Sequence, residues 1–221
     1  MPRRLILRSP HRCERCRLAP RWCVCAGVAS IDPTVKVDVV MYPNELWRFI
    51  STGHLINRAL VDSHCHLWHH ERPVSENEVR RPGREMWVLH PAGGPMPEHV
   101  PPERLQVVVI DGSWREASAI ARDIAAWGRL VSLPMMGQSR FWLRTQAEGG
   151  KFSTVEALMF LFEALGLSDA SAHLRAQFEL HVYAGLRARG NKLQAEKFLT
   201  DSPAATRFSH LIAALNFRRP L

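Results

Sequence analysis

The chain has 221 residues, enough for one large domain with a sizeable hydrophobic core, or for a domain with a small appendage. Hydrophobic residues make up 46% of it and charged residues 23%, which is typical of a globular domain. No run of about 18 apolar residues suggests a membrane span, and the basic amino terminus lacks the apolar stretch of a signal peptide. These features favour a cytoplasmic protein without membrane association.

The charge balance indicates a polyanionic partner. Lys and Arg number 29 against 21 Asp and Glu, a net charge of +8. Phosphates attract such a domain and release condensed counterions when it binds. Arginines cluster near both ends of the chain, and the planar guanidinium suits phosphate and can stack on bases. A charge surplus kept for solubility is the alternative, but the arginine clusters favour RNA.

Four of the five cysteines form a compact cluster in the sequence, Cys13, Cys16, Cys23 and Cys25. Disulfides are disfavoured in the cytoplasm, so clustered thiols there more often hold a metal. Zinc takes four tetrahedral ligands, and a C-x-x-C turn presents two thiolates to one ion. A redox C-x-x-C would sit at a helix amino terminus after a strand, and the sequence shows no such pattern there.

The cluster therefore predicts a structural zinc site within a basic ribbon-like segment, residues 1–30. Arg15, Arg17 and Arg21 belong to this segment and are candidate RNA contacts. Cys65 lies apart, in a histidine-rich run at 62–70 with no carboxylate at metal-ligand spacing. That run favours surface or interface packing over a second metal site.

Strand and helix patterns alternate along the remainder of the chain. Strands are predicted at 35–41, 86–90, 105–110 and 130–133, from β-branched or continuously apolar runs. Helical patterns cover about 45–60 with a break at Thr52-Gly53, then 114–124, 155–165, 174–187 and 204–215. Ser153 and Glu156 have capping-box spacing, and 135–150 reads as a long loop. This order predicts an α/β domain over 31–221 with a mainly parallel sheet flanked by helices.

The carboxyl ends of the predicted strands are the expected ligand site of such a sheet. Segments 91–95, 111–114 and 133–137 follow three of the strands. None is a G-x-G-x-x-G or P-loop motif, so a dinucleotide site or an NTPase is not supported. Asp111, directly after a buried strand, can cap the next helix or act as a general base, and spacing alone favours the cap.

Several motifs in order along the chain resemble those of the DTW-domain family. Asp111-Gly-Ser-Trp114 is similar to the family signature D-x-T/S-W. Further similar segments are the four-cysteine ribbon, Tyr42-Pro43-x-Glu45, Ser51-Thr52-Gly53-x-Leu55, Leu133-Pro134, Arg140-x3-Arg144 and Ser153-Thr-x-Glu-Ala157. Tyr42, Ser51 and Ser113 depart from the family's His, Asn and Thr. The first two changes bear on ligand contacts, and the third keeps a hydroxyl.

The resemblance implies an enzyme, because bacterial members of the family are tRNA-uridine aminocarboxypropyltransferases. They use S-adenosylmethionine as donor and have a knotted fold related to SPOUT methyltransferases. Carried over, Asp111 would lie nearest the nucleophile, while Trp114 and Ala117 would pack against the sulfonium and its methyl group. Thr52 and Gly53 would receive the donor carboxylate. The remaining donor contacts implied are Leu89, Ile110 at the ribose, Leu133 and Pro134, and Thr154 with the loop from Arg144 enclosing adenine.

Arg140 and Arg144 would hold RNA phosphates or the donor carboxylate, the alternative being a solvated loop. The target uridine should lie in a tRNA loop, because its N3 is occupied in a base pair. Other readings are a SPOUT-type RNA methyltransferase, an rRNA aminocarboxypropyltransferase and a zinc-ribbon RNA-binding protein without catalysis. The sequence shows no protein partner or interface signal and favours a monomer over a dimer.

Overall fold

The computed structural model describes residues 12–98, 100–144 and 151–217. Its five strands form one parallel sheet in the order β2-β1-β4-β3-β5. They are β1 (Lys36–Met41), β2 (His64–Leu67), β3 (Glu85–Pro95), β4 (Leu105–Asp111) and β5 (Arg129–Ser132). The predicted α/β architecture with a parallel sheet is confirmed, and β2 is a strand that the sequence patterns did not indicate.

Helices flank this sheet on both faces. In the described residues they are α1 (Gly53–Ala59), α2 (Glu76–Val79), α3 (Trp114–Ile124), α4 (Thr154–Ala164), α5 (Ser168–Ala188), α6 (Lys192–Leu199), α7 (Pro203–Arg207) and α8 (Ser209–Asn216). The predicted helix at 204–215 is two helices, because the backbone leaves the helical conformation at Phe208. The predicted break before Gly53 is confirmed: a short 3₁₀ helix, Pro43–Trp47, precedes α1. None of the helices described here is both long and apolar enough to cross a bilayer.

Strand β4 lies at the centre of the sheet and is buried on both faces, as its continuous apolar run predicts. Val107 and Val109 belong to the larger hydrophobic cluster, which α1, α4 and α5 cover. Val108 and Ile110 point to the smaller cluster, which α3 covers. Burial in both clusters fixes the register of β4, because a slip of one residue would exchange its two faces.

The neighbouring strands β1 and β4 form the switch point of the sheet, with Met41 of β1 opposite Asp111 of β4. After β1 the chain continues into α1, whose Ile56 joins the larger cluster. After β4 it continues into α3, whose Ile120 joins the smaller cluster on the opposite face. Chain segments that leave adjacent parallel strands in opposite directions open a crevice, where α/β sheets bind ligands. Asp111 stands at this crevice.

Strand β3 is longer than the sequence predicts, since the pattern placed its end at His90. Residues 90–95 continue beside β5 after a register shift between Leu89 and Gly94. Gly93 permits this approach, because a Cβ there would lie 2.6 Å from the backbone of Val131. A Pro-Ala-Gly-Gly-Pro run reads as a loop from sequence, yet here it forms an irregular strand end.

The cysteine-rich segment packs against the α/β core rather than standing apart from it. Cys16, Leu18 and Val24 are buried in the larger cluster. Two side chains of α5 bind it as well: His173 Nε2 donates to the Ala29 carbonyl (2.8 Å), and Gln177 Nε2 donates to the carbonyl of residue 27 (2.9 Å). The division of the chain at residue 30 stays a prediction, and residues 1–11 of that segment lie outside the described part.

Candidate functional site

A cavity of about 400 Å³ opens at the carboxyl ends of β3, β4 and β5. Its size is within the range of about 300–1,000 Å³ typical of small-molecule sites. The predicted site residues that line it are Thr52, Leu89, Ile110, Asp111, Trp114, Ala117, Leu133, Arg144 and Thr154. Gly53, Pro134 and Arg140 do not line it. Residues 145–150 of the loop predicted to enclose adenine lie outside the described residues, but both flanks of that loop reach the cavity wall.

Asp111 is 3% exposed, and its carboxylate is held by three donors from two other segments of the chain. Its Oδ2 accepts hydrogen bonds from the Ser51 hydroxyl and from the Gly53 backbone N–H (3.2 Å). Its Oδ1 lies 2.9 Å from the Thr154 hydroxyl, a donor at the start of α4. The interpretation of Asp111 as a helix cap is wrong, because Ser113 occupies the cap position of α3.

These contacts determine how many further hydrogen bonds the Asp111 carboxylate can accept. Each carboxylate oxygen has two lone pairs, so Oδ2 is saturated by Ser51 and Gly53, whereas Oδ1 receives one hydrogen bond. Oδ1 therefore keeps one unfilled acceptor position, and Asp111 is one of the residues that line the cavity. Fixed donors on the other positions orient the carboxylate before any ligand arrives.

Glycine is required at position 53 by its close approach to Asp111. A Cβ there would lie 2.8 Å from Asp111 Oδ2 and 2.8 Å from Met41 Cε, closer than real Cβ contacts. We expect Gly53→Ala to lower the free energy of unfolding by about 1–3 kcal/mol, because overpacking forces its neighbours to shift. Denaturant unfolding measures this. Gly94→Ala is the matched control, since a Cβ at Gly94 meets nothing within 4 Å, and an equal loss in both variants would contradict the steric argument.

A buried acidic residue, Glu45, connects the crevice with two arginines. Its Oε1 lies 2.5 Å from Arg48 Nη1, and its Oε2 lies 3.6 Å from Arg144 Nη2 without a hydrogen bond. Burial, and then the nearby charge of Asp111, raises the pKa of Glu45. Among the described residues that line the cavity, Arg144 is the only arginine or lysine, and the Glu45 carboxylate lies beside it.

Arg140 has a different environment from Arg144. Its Nη2 lies 3.1 Å from Glu179 Oε2 in α5 and donates to the Phe198 carbonyl in α6 at 2.8 Å. Its guanidinium lies 4.2 Å from the centre of the Phe198 ring. These contacts join the loop to two helices, and they account for an arginine at this position without a ligand. An RNA contact by Arg140 stays a prediction.

The aromatic part of the cavity wall consists of His90, Trp114, Phe141 and Phe152. Trp114, the first residue of α3, is 52% exposed, and the Lys151 ammonium lies 5.5 Å from the centre of its ring. His90 was not identified as a site residue from the sequence. It lies at the carboxyl end of the buried part of β3, so the expectation that ligands bind at strand ends, which pointed to Asp111, applies to it as well. Burial lowers the pKa of His90, and its Nδ1 accepts the Ala92 N–H (3.2 Å), so Nε2 carries the proton of the neutral ring.

The four clustered cysteines converge at a second site. Their sulfur atoms all lie within 4.8 Å of one another. Cys13 Sγ is 3.7 Å from Cys25 Sγ, and Cys16 Sγ is 3.8 Å from Cys23 Sγ. These distances are too long for disulfides but match a tetrahedral zinc, whose Zn–S bonds of about 2.3 Å place sulfurs about 3.8 Å apart. The donor set and spacing therefore fit zinc.

The predicted RNA-binding arginines of this segment differ in exposure, since Arg21 is exposed and Arg17 is half-buried. Arg15 is exposed. The Arg17 guanidinium stacks 4.6 Å from the centre of the Trp47 ring, and that of Arg21 lies 5.1 Å from the Trp22 ring. The structure does not bring these arginines into the cavity.

The fold and site define an α/β protein with a cavity at the switch point of a parallel sheet and a separate cluster of four cysteines that could hold a metal ion. The chain belongs to the DTW-domain family, since the family profile described as DTW domain matches residues 10–184. It is 28% identical over 162 residues to a Drosophila melanogaster protein named tRNA-uridine aminocarboxypropyltransferase 2. That similarity covers 66% of this chain and 63% of the relative, so the chain spans under two thirds of the relative's length. No solved structure shows a significant match.

Proposed function

We propose that the protein transfers the 3-amino-3-carboxypropyl group of S-adenosylmethionine to N3 of a uridine in a tRNA loop, with methylthioadenosine as the second product. Membership of the DTW family and the name of the insect relative support tRNA modification. The observation that carries the proposal is the Asp111 carboxylate at the switch-point cavity, where Oδ1 retains an acceptor position. A cytoplasmic location and a monomeric state remain predictions.

The cavity offers matching groups for each part of the donor. Arg144 supplies a cation for the donor carboxylate, and Thr52 lies on the same wall. Gly53 is a weaker candidate for that carboxylate than its motif implies, because its N–H already donates to Asp111. The apolar side chains of Leu89 and Leu133 suit the adenine ring.

Trp114 supports the choice of carbon in this reaction. Aminocarboxypropyl transfer requires attack on the methylene carbon beside sulfur, so the methyl group must be buried and the chain carbon presented. An indole face attracts a sulfonium through a cation–π contact. The Trp114 ring lies beside the cavity and already has the Lys151 ammonium at 5.5 Å. Ala117, one turn further along α3, adds a small apolar contact for the methyl group.

Asp111 serves the acceptor. Uridine N3 forms the new bond to the methylene carbon as the carbon–sulfur bond breaks, and the electron pair of that bond leaves with sulfur in neutral methylthioadenosine. The proton of N3 must depart, and we infer that Asp111 Oδ1, which receives one hydrogen bond from Thr154, accepts it. The donors at Ser51 and Gly53 keep the carboxylate oriented during this step.

A SPOUT-like knot remains part of the proposal. The chain leaves β5 at one edge of the sheet and returns to its centre, where the Thr154 hydroxyl lies 3.1 Å from the Ile110 carbonyl at the end of β4. A knot of this kind would require the chain after residue 152 to pass through the loop formed by the preceding segment, and a return to the central strand is consistent with that path. Residues 145–150 of that segment lie outside the described part of the chain.

Zinc would be held by the four cysteines of the ribbon as a structural ion and would take no part in group transfer. Four thiolates supply a closed ligand set, and a closed set leaves no position for substrate. The ion would order the segment that carries Arg15, Arg17 and Arg21.

Analysis of the small-molecule product tests the proposal. The protein is incubated with S-adenosylmethionine and unmodified tRNA, and the nucleoside products are identified by mass spectrometry. Methylthioadenosine is the expected product. S-adenosylhomocysteine would instead assign methyl transfer, and absence of both products would favour an RNA-binding protein or another RNA substrate such as rRNA.

Glu45→Gln should affect the thermal stability of the protein and its binding of S-adenosylmethionine differently. Because the pKa of Glu45 is raised in the folded protein, its ionised form costs stability at neutral pH, and that cost falls away as pH drops through the folded pKa. The glutamine variant should therefore keep or exceed the wild-type Tm at pH 7. It loses the pairing with Arg144, so the KM for S-adenosylmethionine should rise several-fold.

Steady-state kinetics and thermal unfolding check both parts of this expectation. Glu103→Gln, at an exposed position before β4, is the matched control and should change neither value. A Glu45→Gln variant with unchanged KM would show that Arg144 does not depend on Glu45 to bind the donor.

A further inference from the structure

The segment between Glu45 and Ser51 has one side toward the site and another toward solvent. Glu45 and Ser51, at its two ends, are buried and reach Arg144 and Asp111 respectively. Between them, Trp47 is 36% exposed and Phe49 is half-buried. Residues 46–50, here termed the aromatic loop, therefore place Trp47 at the surface and Phe49 partly exposed, between two residues that contact the site.

Two histidines, the half-buried His54 and the buried His181, fix the aromatic loop in place. His54 Nε2 donates to the Leu46 carbonyl at 2.9 Å, and His181 Nε2 donates to the Phe49 carbonyl at 2.6 Å. Burial lowers the pKa of both histidines, that of His181 to about 3. Each ring is therefore neutral at physiological pH and keeps its proton on the nitrogen that faces the loop. A loop held in this way loses little conformational entropy when it binds a partner.

Arginine side chains cover the rings of this surface. Arg17 lies 4.6 Å from the centre of the Trp47 ring. Arg12 and Arg189 lie 5.4 Å and 5.1 Å from the centre of the Phe49 ring. Two further arginines, Arg21 and Arg187, lie 5.1 Å and 4.9 Å from the ring of Trp22. We term these eight residues the arginine–aromatic surface.

The charge of this surface is not balanced internally. Within the described ranges, no carboxylate forms an ion pair with any of its five arginines, although many other arginines of the protein are paired. Three of the five come from the cysteine-rich segment, and two from the end of α5 and just beyond it. The metal site and α5 thus bring cations from distant parts of the sequence to one surface, where a polyanion would supply the missing charge.

The arginine–aromatic surface continues toward the cavity. Arg189 Nη1 donates to the Leu143 carbonyl at 2.6 Å, and the next residue, Arg144, lines the cavity. The arginine–aromatic surface is thus joined to the cavity wall through the segment that carries Leu143 and Arg144.

We propose that the arginine–aromatic surface binds the single-stranded tRNA segment beside the target uridine, with bases stacking on Trp47 and Phe49 and phosphates contacting the arginines. The proposal rests on the proposed function for the identity of the RNA. Single-stranded RNA suits it, because unstacked bases expose their faces to aromatic and guanidinium groups, whereas a duplex hides them. Arginines interleaved with rings offer both contacts at each nucleotide.

Binding of unmodified tRNA to the full-length protein, measured by fluorescence anisotropy over a range of salt concentrations, tests the proposal. Trp47→Ala should weaken binding about tenfold at constant salt slope, since one stacked base is lost. Trp47→Phe should recover most of that loss. Arg12→Gln with Arg187→Gln should reduce the slope of log affinity against log salt by about 0.7 for each phosphate contact removed.

Arg104→Gln is the matched control, because Arg104 is exposed at the opposite, amino-terminal edge of the sheet. Wild-type affinity and slope in the Trp47 and arginine variants would overturn the proposal. Loss in the arginine variants alone would overturn the stacking role. S-adenosylmethionine binding by calorimetry should be unchanged throughout, and any fall in it would indicate misfolding of the loop.

Failure of this surface and failure of the proposed reaction are distinguishable. If the wild-type protein makes no methylthioadenosine but the variants weaken tRNA binding as described, the surface is supported and the reaction is rejected. If methylthioadenosine forms and Trp47→Ala has the wild-type KM for tRNA, the reaction stands and the surface is rejected.

Discussion

Asp111→Asn should lower kcat for aminocarboxypropyl transfer about 100-fold or more, while the affinity for tRNA changes little. The asparagine side chain has the same shape, but its NH₂ group cannot accept the uridine N–H. It would also turn a donor toward Ser51, Gly53 or Thr154, each of which donates to Asp111 in the wild-type protein. Leaving one of these donors unsatisfied should cost about 1–3 kcal/mol of stability.

Single-turnover kinetics at saturating donor and tRNA, together with denaturant unfolding, measure the two effects. Asp201→Asn, an exposed residue before α7, is the matched control and should behave as wild type. A kcat within a few-fold of wild type in Asp111→Asn would remove Asp111 from the chemistry and leave it a structural contact between α1 and α4.

Loss of one cysteine ligand should have the largest effect on stability. Cys16→Ser should abolish stoichiometric zinc binding and lower Tm substantially, because apparent zinc affinities of such sites correspond to about 10–16 kcal/mol of folding free energy in isolated fingers. Cys16, Leu18 and Val24 also belong to the main hydrophobic cluster, so release of the segment exposes part of the core. Metal analysis by mass spectrometry and thermal unfolding check this expectation.

Cys65→Ala provides the control for the cysteine variants. Cys65 lies in β2, far from the cluster in the sequence, and burial raises the pKa of its thiol to about 12. This variant should retain one equivalent of zinc. Wild-type Tm in metal-free Cys16→Ser protein would contradict a structural role for the metal. Because Arg12, Arg17 and Arg21 belong to the same segment, the metal-free protein should also bind tRNA more weakly.

The parts of the fold that the sequence predicts are those specified by local patterns. The continuous apolar run of β4 predicts a central strand that is buried on both faces, as observed. Ser153 and Glu156 form the predicted capping box. The strand-end rule then points to Asp111, because the rule depends only on strand order and direction.

Strand β2 escaped prediction because its stability comes from residues distant in sequence. His64-Cys-His-Leu67 has no strong apolar pattern, yet it pairs with β1. His66 and Arg81 both contact the buried Asp38 carboxylate of β1. Although burial alone would raise the pKa of Asp38, these contacts hold it below its ordinary value. The carboxylate partner that the histidine-rich run lacks in sequence is supplied by the neighbouring strand.

The cap interpretation of Asp111 failed for a related reason. Spacing shows only the helix that follows Asp111, whereas its hydrogen-bond donors lie 60, 58 and 43 residues away, at Ser51, Gly53 and Thr154. The arginine–aromatic surface is likewise assembled from three separated segments. Patterns along the chain cannot reveal such tertiary groupings, except where a known motif marks their members.

The most direct test of the proposed reaction follows two isotopic labels of one donor into tRNA. S-adenosylmethionine carries heavy carbon in its amino-acid chain and deuterium in its methyl group, and modified nucleosides are analysed by mass spectrometry after digestion. The proposal predicts a uridine derivative that contains all the heavy carbon and no deuterium, with the deuterium recovered in methylthioadenosine. A nucleoside that carries the deuterium without heavy carbon would contradict it and establish methyl transfer.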